Sequence, residues 1–178
     1  YYKVMACEKL KYYDFEKEKV FCSPRKTSAI NLSSPEFELL LKGYAFYGFP
    51  EKIYSEWVRE GSPVLSAQTT LTVCHLLKNC SNGKDDYLVQ SLRIASKTAN
   101  YSQEQIPLDV LEYVYPKNYE EYVTKYCEKY SIPNSVLWAL IRSESFFDPD
   151  VISSAGAVGL CQLMPTTGED IAHRLRKS

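Results

Sequence analysis

The sequence has no excess of either charge sign and no patch of one. Its 21 Lys and Arg are scattered among 22 Asp and Glu, for a net charge of -1. A domain that grips a phosphate backbone needs a basic stripe along one face. Nucleic acid is therefore excluded as a partner, and the short basic end "HRLRKS" reads as a solvated helix terminus. Long apolar runs are missing too. None approaches the ~20 residues that cross a bilayer as a helix, so no transmembrane segment is expected. The six cysteines, at 7, 22, 74, 80, 127 and 161, contain no C-x-x-C pair. That spacing excludes a zinc cage, and no metal is expected. Cys74 and Cys80 share a helix, where six residues of separation point them to different faces. Buried free thiols are expected in place of bridges. No signal peptide is present, and the chain opens on Tyr1 rather than Met. It reads as a processed protein or a fragment, with export left open. Asn31-Leu-Ser, Asn79-Cys-Ser and Asn100-Tyr-Ser match the glycosylation pattern, which is too short to carry weight.

What is present is a helix-forming chain. Its 178 residues fit one domain or two small ones, and 45% hydrophobic residues against 24% charged are enough for a packed core. Ser34 is a candidate N-cap with Pro35 at the first helical position, and Phe37, Leu40, Leu41 and Tyr44 recur at helical spacing until Gly48 and Pro50. "PEKIYSEWVREG" is a second helix, with Ile53 and Trp57 four apart and Gly61 past its end. Leu65 to Cys80 makes a third, closed by "SNG", and Asp85 to Thr98 a fourth on the stripe Leu88, Leu92 and Ala95. Short helices joined by tight turns read as an α-solenoid, although no repeat period is regular enough to name. Trp57, Tyr44 and the other aromatics here read as core. Composition shifts near Tyr115-Pro116. "PKNYEEYVTKYCEKYSIP" follows as a helix with Tyr122 and Tyr126 on one face, and Asn134 is expected to cap the next. The organisation predicted is all-α, with a helical-repeat region over 1–115 and a second domain over 116–178.

The chemistry concentrates in "ALIRSESFFDPDVISSAGAVGLCQLMP", Ala139 to Pro165. Leu137, Leu140, Ile141 and Glu144 lie three and four residues apart, which sets Glu144 on the apolar stripe of its helix. It also falls in the last turn, at the negative end of the helix dipole. Partial burial and the dipole both disfavour its ionised form and favour a proton donor. Helical position alone equally allows a Glu that turns to water. "SSAGAVGL" is small enough to turn tightly, with Gly156 and Gly159 permitting close backbone approach. Gln162 and Met164 follow it. Asp148 and Asp150 read as turn residues, and Glu169 and Asp170 as acids of the first turn of the next helix. His75 reads as structural and His173 as a surface residue of the last helix. A thiol hydrolase built on Cys161 and His173 is a poor alternative, since Cys161 lies in an apolar run and a thiol nucleophile needs a paired base.

Glu144-Ser145, Phe147, Ser153, Gly156-Ala157, Gly159-Leu160, Gln162, Met164-Pro165 and Thr167 resemble the "ES…GAxGLxQxMPxT" signature of soluble lytic transglycosylases with a lysozyme-like catalytic domain. "YPKNYEEYVTKYCEKYSIPNSVLWALIRSES" is similar to the family's entry into that domain, and the helical first two-thirds to its superhelical region. The resemblance implies that Glu144 is the sole catalytic acid and base, and that Ser153, Gln162 and Met164 line the sugar cleft. It implies peptidoglycan glycan strands as substrate, no cofactor, and a place in the bacterial periplasm or cell envelope. It also implies cleavage between N-acetylmuramic acid and N-acetylglucosamine with a 1,6-anhydro product. The alternatives are a hydrolytic muramidase with the same acid, and a helical-repeat scaffold with an inactive catalytic remnant. Cys161 stands where the family usually has Met, so repacking is expected there. The family's later tyrosine-bearing motif does not occur before Ser178, so the sequence reads as C-terminally truncated, with one wall of the cleft outside it.

Overall fold

A computed structural model describes residues 30–81, 86–101 and 106–176. Cys7, Cys22, Ser102 and parts of "SNG" and of the basic end lie outside those residues. Among the described residues there are eight helices and no strand. In chain order they are α1 (Pro35–Tyr47), α2 (Pro50–Arg59), α3 (Ala67–Asn79), α4 (Asp86–Tyr101), α5 (Leu108–Val114), α6 (Glu120–Tyr130), α7 (Asn134–Ser145) and α8 (Pro165–Leu175). No helix among the described residues is long and apolar enough to cross a membrane. The chain divides into two compact units, one ending at Pro116 and the other beginning at Lys117.

The first unit packs α1 to α5 around one core. Ser34 caps α1 by accepting from Phe37 N at 3.2 Å, and the Gly48 N–H closes the helix onto Tyr44 O. Ser66 caps α3 in the same way, accepting from Thr69 N at 3.3 Å. Leu65 therefore precedes that helix instead of starting it. Leu41, Ile53, Val73, Leu77 and Ala95 are fully buried within the core. In α1 the buried line is Phe37 and Leu41, while Leu40 is exposed. Helix α4 is buried well beyond the expected stripe. Ser91, Ile94, Thr98 and Ala99 are covered as well as Leu88, Leu92 and Ala95. Small side chains let α3 and α4 approach closely, and the Thr70 and Thr98 hydroxyls meet at 2.8 Å in that interface. Trp57 is core, as its spacing implied, with its indole N–H donating to Pro63 O at 2.9 Å. Phe46, Tyr47 and Phe49 are exposed, which corrects the expectation that the aromatics of this region are core. Helix α5 was not foreseen.

Glu38 joins three pieces of this unit. Its carboxylate accepts from the Ser33, Ser66 and Thr69 hydroxyls and from Ser66 N at 2.7 Å. Burial pushes its carboxyl up, but these hydrogen bonds outweigh burial and bring it down from 4.5 to about 2. A folded-state value below the unfolded one means the stabilisation is fully present above about 4.5 and is lost as pH falls toward 2. Thermal unfolding of the chain should weaken across that window. In Glu38→Gln the slope should flatten, and the midpoint at neutral pH should fall by the equivalent of about 1.5–3 kcal/mol, the range for hydrogen bonds to a charged group. An unchanged acid limb in the variant would remove Glu38 from this role.

The second unit is smaller. Helices α6 and α7 pack against each other, and Val123 and Cys127 of α6, Trp138 and Ile141 of α7 and Phe147 beyond it are all buried. The Trp138 indole N–H donates to Asn118 O at 2.9 Å. Tyr122 and Tyr126 do share a face of α6, and it is the exposed one. Asn134 is not a cap. It is the first residue of α7, Pro133 precedes it, and its amide donates to Thr124 Oγ1 at 3.2 Å.

Candidate active site

Helix α7 delivers Glu144 to the surface. Its buried line is Trp138, Ile141 and Ser145, one position round from the expected Leu137, Leu140, Ile141 and Glu144. Glu144 is exposed, as is Leu140, so the residues described here do not supply the burial expected for the acid. The physical reason is rotation. Trp138 has the largest apolar surface on the helix and takes the core, and each residue turns the helix by about 100°. Ser145 is carried inward, where its hydroxyl donates to Ile141 O at 3.0 Å. The helix then stops abruptly. Phe146 and Phe147 both adopt left-handed backbone, at φ 55 and 64. Asp148 Oδ1 accepts from Asp150 N at 3.0 Å to complete the turn. Two consecutive non-glycine residues in this region are costly by about 1–3 kcal/mol each and mark a segment held by its surroundings. Phe147 provides the hold, being wholly buried.

Residues 151–163 fold into a compact loop. Isolated bridges pair Ile152 with Val158 and Val158 with Leu163. Gly159 has a φ of 74, which favours glycine, and a Cβ there would stand 3.3 Å from Pro149 O, a tight contact that the backbone would have to relax to accept. Gly156 faces open space, so the close approach expected of it does not occur. Ser153 Oγ accepts from Ala157 N at 3.0 Å. Gln162, at φ 47, donates through Nε2 to Val151 O at 3.2 Å and to Gly159 O at 3.0 Å. Both side chains therefore work first as staples of the loop, and neither is hydrogen-bonded to Glu144 among the described residues. Their free capacity is complementary. Ser153 keeps its O–H to donate and Gln162 its carbonyl oxygen to accept. Met164 is exposed and directly precedes α8.

The Glu144 carboxylate lies close enough to the Cys161 thiol to act on it. Burial first, and then the charge of Glu144, push Cys161 up. The half-buried thiol is thus neutral and a poor nucleophile, and His173 is exposed on α8. Cys74, Cys80, Cys127 and Cys161 are all free thiols. Glu169 and Asp170 sit in the second turn of α8, not the first, because the helix begins at Pro165. Asp170 pairs with Arg174 at 3.5 Å. Among the described residues no three His, Cys, Asp or Glu side chains gather as a metal site. The sequence reading missed the paired left-handed phenylalanines and the nearness of Cys161 to Glu144. The "FF" before "DPD" was the one visible signal for the first.

Residues 121–178 match the family described as transglycosylase SLT domain. The chain is 34% identical over 76 residues to the membrane-bound lytic murein transglycosylase C of Haemophilus ducreyi, covering 42% of this chain and 20% of that protein. It is 41% identical over 59 residues to the soluble lytic murein transglycosylase of Escherichia coli, covering 33% of this chain and 9% of that one. The chain thus spans a fifth or less of these relatives' length. Among solved structures it is similar to the lytic transglycosylase Slt of Pseudomonas aeruginosa, an inactive glutamate-to-glutamine mutant. The TM-score is 0.56 at 16% identity, over 97% of this chain and 26% of that one. That similarity supports the fold.

Proposed function

We propose, from the match of residues 121–178 to the transglycosylase SLT domain, that the protein cleaves peptidoglycan as a lytic transglycosylase, with Glu144 as its only catalytic acid and base. The observation that carries the reading is the position of Glu144, exposed at the end of α7 and next to the loop that holds Ser153 and Gln162. Glu144 protonates the glycosidic oxygen between N-acetylmuramic acid and N-acetylglucosamine, and the C1–O bond breaks. The resulting carboxylate takes the proton of the muramyl C6 hydroxyl, whose oxygen closes on C1. The acid is restored, the leaving sugar keeps the first proton, and the muramyl end becomes a 1,6-anhydro ring. The substrate's acetamido group stabilises the charge at C1. Most glycosidases use two carboxylates, and a reaction without a water nucleophile needs only one. The domain division at about residue 116, with a helical-repeat region before a lysozyme-like one, and an envelope location belong to the same reading.

The solvent exposure of Glu144 favours one rival, a hydrolytic muramidase, because water reaches the acid in the free protein. Mass spectrometry of the released muropeptides separates the two. Anhydro ends, lighter by one water, are expected, and reducing ends alone would establish the hydrolase.

Ser153→Ala and Gln162→Ala should each lower turnover severalfold to about tenfold, the value of one neutral hydrogen bond. The Ser153 O–H and the Gln162 carbonyl are assigned to the acetamido group and hydroxyls of the bound sugar. Turnover should be measured beside thermal unfolding, since both side chains also staple the loop. A loss as large as that of the acid, with the midpoint unchanged, would overturn this division of roles.

A further inference from the structure

The helical-repeat unit carries a groove of its own, about 1020 Å³, walled by α1, α3 and α5. Sites for small molecules run to roughly 300–1,000 Å³, so this volume is at the upper end of that range and leaves room for more than one ring. Phe46 and Tyr47 stand on its rim, 83% and 72% exposed. Their rings pack edge to face with centroids 5.1 Å apart. Rings so exposed add little to the core. On the opposite wall three polar side chains form a relay. Asn79 Nδ2 lies 3.0 Å from His75 Nε2, and Tyr113 Oη 3.5 Å from His75 Nδ1. With the Asn79 amide donating into Nε2, the imidazole carries its proton on Nδ1, facing the Tyr113 oxygen. The Tyr113 O–H is then left to donate outward. Burial, followed by the charges of Cys74, Glu112 and Asp109, pushes that phenol up, so it remains a donor. The sequence reading of His75 as merely structural does not anticipate this arrangement.

We propose that this groove is a second saccharide-binding site, taking a short run of β-1,4-linked N-acetylated aminosugars on the unit that does not carry Glu144. A pyranose ring offers an apolar C–H face and a rim of hydroxyls and amides. Flat aromatic faces take the first. Planar amide and carboxylate side chains take the second, two atoms at a time. The groove places the exposed Phe46 and Tyr47 rings beside Gln68, Asn79, Asp109 and Glu112, which is that combination, while Lys78 Nζ stands 5.5 Å over the Tyr113 ring, so Tyr113 contributes through its hydroxyl. The apolar part of the lining, Leu39, Leu71 and Leu76, would also take an amphipathic peptide helix, and it is the row Gln68, Asn79, Asp109 and Glu112 that favours the saccharide. The identity of the polymer rests on the proposed peptidoglycan activity. Holding the strand at a second point raises the effective concentration of its bonds at the first.

The test titrates the full-length gene product, carrying Glu144→Gln so that no strand is cut, with N-acetylglucosamine tetramer. Saturable binding is expected, with NMR shifts at His75 and Tyr113. Phe46→Ala with Tyr47→Ala should weaken it roughly tenfold or more, with an unchanged circular dichroism spectrum because both rings are exposed. Tyr113→Phe should weaken it severalfold. Equal affinity in the double variant, shifts confined to residues 117–176, or binding of an amphipathic peptide but not the tetramer would each overturn the site. The activity reading fails separately. Tetramer binding in the groove of a protein that releases no anhydro ends sinks the activity and leaves the site standing.

Discussion

Glu144→Gln should abolish glycan cleavage by the full-length gene product while leaving its unfolding transition in place. Gln keeps the shape of the side chain and its hydrogen-bonding reach but has no proton to transfer. Loss of an essential acid and base costs ~10²–10⁴ in rate, and here both halves of the reaction draw on the same group. Structural damage is not expected. Glu144 is exposed, and no hydrogen bond to its side chain is seen among the described residues. The check is the rate of anhydro-muropeptide release beside a thermal melt. Retention of more than half the activity would remove Glu144 from the mechanism. A collapse of both activity and melting would show that the carboxylate holds the fold.

How well the sequence foretold each element depended on how strongly local chemistry constrained it. Helix α1 was readable to the residue at its start, because Ser34 and Pro35 form a cap and a first turn that few other conformations use. Helix α2 was equally plain from Ile53 and Trp57. The facing of α7 was not. Val136 to Ile141 is six apolar residues in a row, so periodicity cannot choose a face, and the bulk of Trp138 decided it through packing. Helix α5 has only seven residues, too few for a stripe to repeat. The breadth of burial on α4 was hidden because Ser91, Ser96 and Thr98 read as polar surface. Tertiary contact buries them, and paired hydroxyls make that burial tolerable.

The candidate site divides the same way. Gly159 was legible as a turn glycine, since small-residue runs signal tight turns. That Gln162 spends hydrogen bonds on its own loop was not legible, because its bond to Val151 O spans eleven positions and depends on the loop closing on itself, while the Ser153 bond to Ala157 N is local but needs the turn between them. The same limitation applies to Glu38. On a helical wheel it is one acid among several, and only the convergence of Ser33, Ser66 and Thr69 makes it a junction. In each case the residue type was visible and its partners were not.

Phe147→Ala should cost the second unit about 3–5 kcal/mol, the usual loss for truncating a buried aromatic ring. Phe147 is the largest fully buried side chain among the described residues. Stability of ~0.05–0.15 kcal/mol per residue gives roughly 3–9 kcal/mol for a unit of about sixty residues. The truncation therefore removes a large share of what holds the unit together. It also releases a specific geometry. The left-handed turn at Phe146 and Phe147 opposes the ordinary preference of both residues, and without the buried ring nothing balances that opposition. The end of α7 should then extend or fray, and Glu144, two residues before the turn, should lose its orientation toward the loop at 151–163. Amide exchange in α7 should speed up by about a hundredfold or more, which is what a loss near 3 kcal/mol produces, and cleavage should fall with it. Phe147→Leu keeps most of the volume and should recover much of both. Exchange within severalfold of wild type in the alanine variant would show that the turn is held by something other than the ring. Slow exchange together with lost cleavage would place Phe147 in the chemistry itself, which its complete burial argues against.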